Sequence, residues 1–136
     1  MKRRRARENL FKALFMIEIG ENEPEDVENY FLQGIAERAQ ETAYFRSSFQ
    51  GILQHRGELD RILKEHLINW KLDRLSPVVR NILRIGIYEI MYVEEIPEKV
   101  SINEAIELAK IYQDEEASRF VNGVLDRIRK HLKGEF

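Results

Sequence analysis

The chain has 136 residues, 43% of them hydrophobic and 34% charged, with a formal net charge of -2 and no cysteine. That is the size of one ordinary domain, able to bury roughly two-thirds of its unfolded surface. The absence of cysteine excludes disulfides, thiolate catalysis and Cys-ligated zinc or iron–sulfur clusters. No apolar run approaches the roughly 20 residues that cross a bilayer, and the basic start is followed by no signal-peptide core, so a soluble, cytoplasmic protein without a membrane partner is expected.

The chain opens MKRRRARENLFKALF, placing Lys2, Arg3, Arg4, Arg5 and Arg7 before the first acid, Glu8. The apolar rhythm of Leu10, Phe11, Leu14, Phe15 and Ile17 predicts a helix that Gly20 ends. Cations at a helix start oppose the macrodipole by roughly 0.3 to 1 kcal/mol each when exposed. Arg3 and Arg7 stack at i, i+4, while Glu8 offsets only Arg4. A local conflict of this kind marks functional sites. An acidic stretch follows, with Glu18, Glu21, Glu23, Glu25, Asp26 and Glu28, and the last stretch is basic again with Arg127, Arg129, Lys130 and Lys133. Such local fields recruit a polyanion even when the total charge is negative.

Pro24 sits near the start of a second helix with Val27, Tyr30, Phe31 and Ile35 on its face. A third carries Tyr44, Phe45, Phe49, Ile52 and Leu53, breaks near Gly57, and runs on through Leu59, Ile62, Leu63 and Leu67 to Trp70. In LSPVVRNILRIGIYEIMYV, Ser76 is a good N-cap and Pro77 fits the first helical position. Apolar residues from Val78 and Val79 through Ile82, Leu83, Ile85, Ile87, Ile90 and Met91 cover most of that helix's circumference, which predicts a central, buried helix. Ser101 and Glu104 have capping-box spacing at the start of SINEAIELAK. Ala117, Phe120, Val121, Val124, Leu125, Ile128 and Leu132 give the last helix. No segment alternates with period two, so the expected fold is all-α, about seven helices around one central helix, in a single domain spanning 1–136.

Catalytic motifs are missing. There is no glycine-rich phosphate loop, no G-x-G-x-x-G after a strand and no G-x-S-x-G. His55, His66 and His131 recur at no ligand spacing; Glu104 and Glu107 have one, but the capping box and the polar face account for them. Glu89 is a carboxylate in a buried helix, for which Arg84 or Arg80 is the ordinary partner. The expectation is a non-enzyme with no catalytic residue, metal or cofactor.

The basic start then needs a ligand. A solvated tail is the plain alternative. Membrane binding would interleave the cations with apolar residues along one face, whereas here they form a block before it. No helix–turn–helix punctuation suggests a duplex DNA reader. Single-stranded RNA, bound by arginines on phosphates and rings on bases, fits better.

RRRARENLFKALF, WKLDRLSPVVRNILRIGIYEI, VSINEAIELAKIY and SRFVNGVLDRI, in that order over about residues 2–133, resemble the NusB transcription antitermination factors. The resemblance implies two small three-helix bundles sharing a long middle region. It implies binding of boxA single-stranded RNA in nascent ribosomal RNA transcripts together with NusE, a small-subunit ribosomal protein, alongside other Nus factors on RNA polymerase. By resemblance, Lys2, Arg3, Arg4, Arg5 and Arg7 match the basic RNA-binding segment, Phe120 an aromatic of the RNA surface, Glu116 an acid that tunes affinity, and His66 a position where a ring meets RNA. Phe120 fits the core stripe equally well, and Glu116 a first-turn acid. Phe15 and Val79 stand where some members carry a tyrosine and an acid facing NusE, so a more apolar interface including Ile19 is implied; all three are expected to be exposed. The sequence is compatible with a monomer or a homodimer. The competing readings are a self-associating helical module and a relative of the NusB-like domain fused to ribosomal RNA methyltransferases, the latter disfavoured because no cofactor-binding α/β segment is present.

Overall fold

The computed structural model describes residues 2–20, 22–35 and 38–134, and for Lys2 and Ile35 the backbone alone. Among these residues the chain is all-helical: α1 (Lys2–Ile19), α2 (Pro24–Ile35), α3 (Ala39–Gln54), α4 (Arg56–His66), a one-turn 3₁₀ helix (Leu72–Arg74), α5 (Pro77–Tyr92), α6 (Glu98–Tyr112) and α7 (Glu115–Leu132). They form two compact units, Met1–Gln54 and His55–Phe136.

In the first unit α1 packs on α2 and α3. Its stripe of Ala6, Leu10, Ala13 and Leu14 is buried, as are Val27 and Leu32 of α2 and Phe45, Phe49 and Ile52 of α3. The rings of Phe45 and Phe49 stack in near-parallel planes, centroids 5.6 Å apart. Burying one Leu or Phe stabilises by roughly 1.5–3 kcal/mol, so this stripe overcomes the unfavourable first turn, which carries no acid. Gly20 ends α1 as expected. Its N–H donates to the Met16 carbonyl at 3.0 Å. A Cβ there would lie 2.9 Å from the Met16 carbonyl oxygen, so a side chain would crowd the turn.

In the second unit α5 packs against α4, α6 and α7, and every residue from Asn81 to Glu89 is buried. This is the expected central helix, and Ser76 caps it by accepting from the Val79 N–H at 3.1 Å. Gly86 lets α7 approach closely: a Cβ at that position would fall 2.7 Å from Leu125 Cδ1. The polar residues inside α5 are satisfied. Asn81 donates to the Pro77 carbonyl at 2.9 Å, and Arg84 holds Asp60 of α4 by two bonds of 2.8 and 3.0 Å. Glu89 accepts from Ser101 Oγ of α6 at 2.7 Å.

Three boundaries differ from the sequence expectation. The break between α3 and α4 falls at His55, and Gly57 lies inside α4. Helix α4 stops at His66, not at Trp70, because Leu67 turns extended (φ -84, ψ 125). Helix α6 begins a turn early, at Glu98, since Pro97 with φ -58 and ψ 139 already supplies the entry geometry. Ser101 and Glu104 are therefore interior, and the expected capping box does not form; Ser101 spends its hydroxyl on Glu89 instead.

Candidate nucleic-acid interface

The basic block lies on the first turns of α1. Arg4 and Arg5 are exposed and Arg3 is half-buried; the Lys2 side chain lies outside the described residues. Guanidinium groups on a helix end offer flat forks of N–H donors that match phosphate oxygens. Arg7 departs from the expectation. It is only 1% exposed, with its guanidinium carbon 5.5 Å from the ring centroid of Tyr44. One turn below the exposed arginines, the apolar stripe carries it into the interface with α3, so in this conformation it anchors α1 rather than meeting phosphate. Glu41, also 1% exposed, brings a buried carboxylate to the first turn of α3, 3.9 Å from Arg38 Nη1.

The second unit assembles rings from separate segments. His66, the last residue of α4, is half-buried and its Nδ1 lies 2.8 Å from the Ile62 carbonyl, which requires the proton on Nδ1. Its ring meets His131 of α7 edge-on, centroids 4.9 Å apart. Its carbonyl accepts from Arg127 Nη2 at 3.2 Å, so a cation from α7 closes the C-terminus of α4. Beyond it Asn69 adopts φ 62, a left-handed geometry that Asn tolerates. The turn leaves Ile68 58% and Trp70 54% exposed. The Phe120 ring is half-buried and sits 6.1 Å from the indole, inclined by 66°. Glu116 is exposed in the first turn of α7, next to the Asp114 cap.

The structure thus brings Phe120 to Trp70 and His66 to His131, and holds His66 through Arg127. Sequence reasoning did not join Trp70 or His131 to this ring-bearing face, and placed Arg127 only in the basic C-terminal stretch. In the sequence Trp70 reads as the end of α4's apolar pattern, flanked directly by Asn69 and Lys71.

Of the residues implied for a protein partner, Ile19 is 59% exposed and Phe15 half-buried, its ring 6.1 Å from Phe11. Val79 is 6% exposed, which corrects the expectation for it. It occupies the first turn of α5 behind the Ser76 cap, where its side chain is core.

Among the described residues no group of three or more His, Asp or Glu side chains is placed to hold a metal ion. None of the described helices is long and apolar enough to cross a membrane. The Tyr92 hydroxyl donates to Glu58, which raises its pKa. Hydrogen bonds from Arg129 and then Lys130 lower that of Asp126.

A family model described as the NusB family matches residues 4–130. The transcription antitermination protein NusB of Bacillus velezensis is 44% identical over 133 residues, covering 98% of this chain and 99% of that protein. NusB of T. maritima superposes with a TM-score of 0.83 at 39% identity, over 94% of this chain and 90% of that one. A chain from a crystal structure of antitermination factors NusB and NusE in complex with dsRNA gives a TM-score of 0.82 at 29% identity, over 96% and 97%. The match spans both compact units and the exposed arginines as well as the ring-bearing loop. The chain belongs to the NusB family.

Proposed function

We propose that this protein is a non-enzymatic transcription antitermination factor acting in the cytoplasm. It binds boxA-type single-stranded RNA of nascent ribosomal transcripts together with NusE, and joins other Nus factors on RNA polymerase to suppress premature termination. The observation that carries the reading is the near full-length similarity to proteins named for transcription antitermination, one relative having been solved with NusE and RNA. The chemistry agrees with it. Arg3, Arg4 and Arg5 supply phosphate contacts that read no sequence, while the half-exposed rings of the second unit suit unpaired bases, which a duplex keeps stacked. Ile19 and Phe15 give the first unit an apolar face for the protein partner.

The test is fluorescence anisotropy of a labelled boxA-like single strand, and of the same sequence as a duplex, with and without NusE. Tighter binding of the single strand, strengthened by NusE, is expected; by linkage RNA then strengthens NusE binding by the same factor. Duplex binding equal to or tighter than single-strand binding would replace the single-stranded reading with a duplex one, the form in which the relative's complex was solved. No binding of either RNA in the presence of NusE would remove the RNA role.

A further inference from the structure

We propose that the cleft beside the α4–α5 connection is a nucleotide subsite, in which the indole of Trp70 stacks on one base while Lys64 and Lys71 hold the adjoining phosphate. The inference rests on the RNA-binding reading and adds a site at residues that the family resemblance does not assign.

The cleft has a volume of about 710 Å³ and its walls include Lys64, Trp70, Lys71, Asp73, Arg80 and Arg84. That is within the range of roughly 300–1,000 Å³ typical of small-ligand sites. Its two arginines are fixed by the fold: Arg84 is clamped by Asp60, and Arg80 Nη1 donates to the Leu72 and Leu75 carbonyls at 3.1 and 2.7 Å. They build the wall, and the two exposed lysines stand at it as mobile point charges suited to a phosphodiester. The presence of Asp73 among these cations disfavours a polyphosphate and suits a single phosphate beside a base.

The indole supplies the second half of the recognition. A tryptophan left 54% exposed keeps a large apolar face in water, a cost that stacking removes. Its place is set by the left-handed turn at Asn69 and by the Phe120 ring, whose 66° inclination means that the two rings do not stack parallel on one another. A flat ring that lines the same cleft as two ammonium groups matches a nucleotide better than an acidic peptide, which would have no use for the ring face.

Trp70 is the only tryptophan in the chain, so its emission reports on the cleft directly. The full-length protein is titrated with a boxA-like single strand, with cytidine 5′-monophosphate and with inorganic phosphate, while labelled-RNA anisotropy is read in parallel. RNA is expected to quench Trp70 and shield it from acrylamide over the concentration range in which anisotropy rises. The mononucleotide should quench at higher concentration, and phosphate alone should not. Trp70→Ala should weaken RNA binding by about tenfold or more, with Trp70→Phe recovering most of the loss. Lys64→Gln with Lys71→Gln should flatten the slope of log affinity against log salt by about 1.4. Circular dichroism checks that the variants keep wild-type helix content.

RNA binding with unchanged emission and wild-type affinity of Trp70→Ala would overturn the subsite and leave the RNA-binding reading standing. Quenching by inorganic phosphate alone would overturn the base-stacking half. No anisotropy change for the wild type, with or without NusE, would overturn both readings; quenching by the mononucleotide but not by RNA would overturn the assignment to a strand.

Discussion

The basic start of α1 and the ring-bearing face of the second unit each rest on a buried arginine, and they differ in what that arginine supports. In the first unit Arg7 lies against Tyr44, and the charges it carries with it, Arg3, Arg4 and Arg5, are contiguous on one helix. In the second, Arg84 is clamped by Asp60 at the wall of a cleft whose ring, Trp70, comes from an irregular connection and meets Phe120 of α7, while His66 of α4 meets His131 of α7. Charge needs only a helix end to be presented and grips any phosphate. Rings must be aimed, and a fold that aims them spends its long-range contacts on doing so.

The largest expected effect separates the two supports. Asp60→Ala leaves the Arg84 guanidinium, 5% exposed, without its carboxylate and should lower the unfolding free energy by about 3 kcal/mol in urea titrations. Arg7→Ala should cost about 2 kcal/mol, through loss of the packed stem and the contact with Tyr44, and so lower the thermal midpoint. A wild-type midpoint for Arg7→Ala, together with lost RNA binding, would break the comparison and return Arg7 to the phosphate-binding set. The triple change of Arg3, Arg4 and Arg5 to Ala should do the reverse. It relieves repulsion at the helix start and stabilises the fold by up to about 1 kcal/mol, while RNA affinity falls. The smallest effect concerns Asp126. Its folded pKa lies below the ordinary 3.8, because Arg129 and Lys130 hydrogen-bond the carboxylate. Its contribution is thus present above that value and lost as pH falls through the folded pKa, so Asp126→Asn should move only the foot of an acid-unfolding curve, and only slightly.

Periodicity made the helices legible, and composition made α5 recognisable as the central one, because a helix apolar nearly all round has only one place to go. What sequence could not supply was the competition between neighbours. Ser101 has the local credentials of a cap, yet Pro97 starts the helix first and Glu89 takes the hydroxyl. Arg7 looks like its neighbours until the stripe of Ala6, Leu10 and Ala13 shows which face of α1 it shares. Val79 is apolar whether it packs or docks, and only the fold decides that it packs. The ring face was half-legible for the same reason: His66 and Phe120 came from a resemblance, while the contacts of Trp70 with Phe120 and of Arg127 with His66 exist only once the chain is folded.

The central claim is that Arg3, Arg4 and Arg5 of α1 neutralise RNA phosphates while Arg7 beneath them holds the helix. It is tested most directly by the salt dependence of affinity for a boxA-like single strand in the presence of NusE, measured for the wild type and for the Arg3, Arg4 and Arg5 to Ala variant. The account predicts that the slope of log affinity against log salt becomes shallower by about 2 in the variant, with no loss of thermal stability. An unchanged slope and affinity would contradict it and make the basic start a solvated tail.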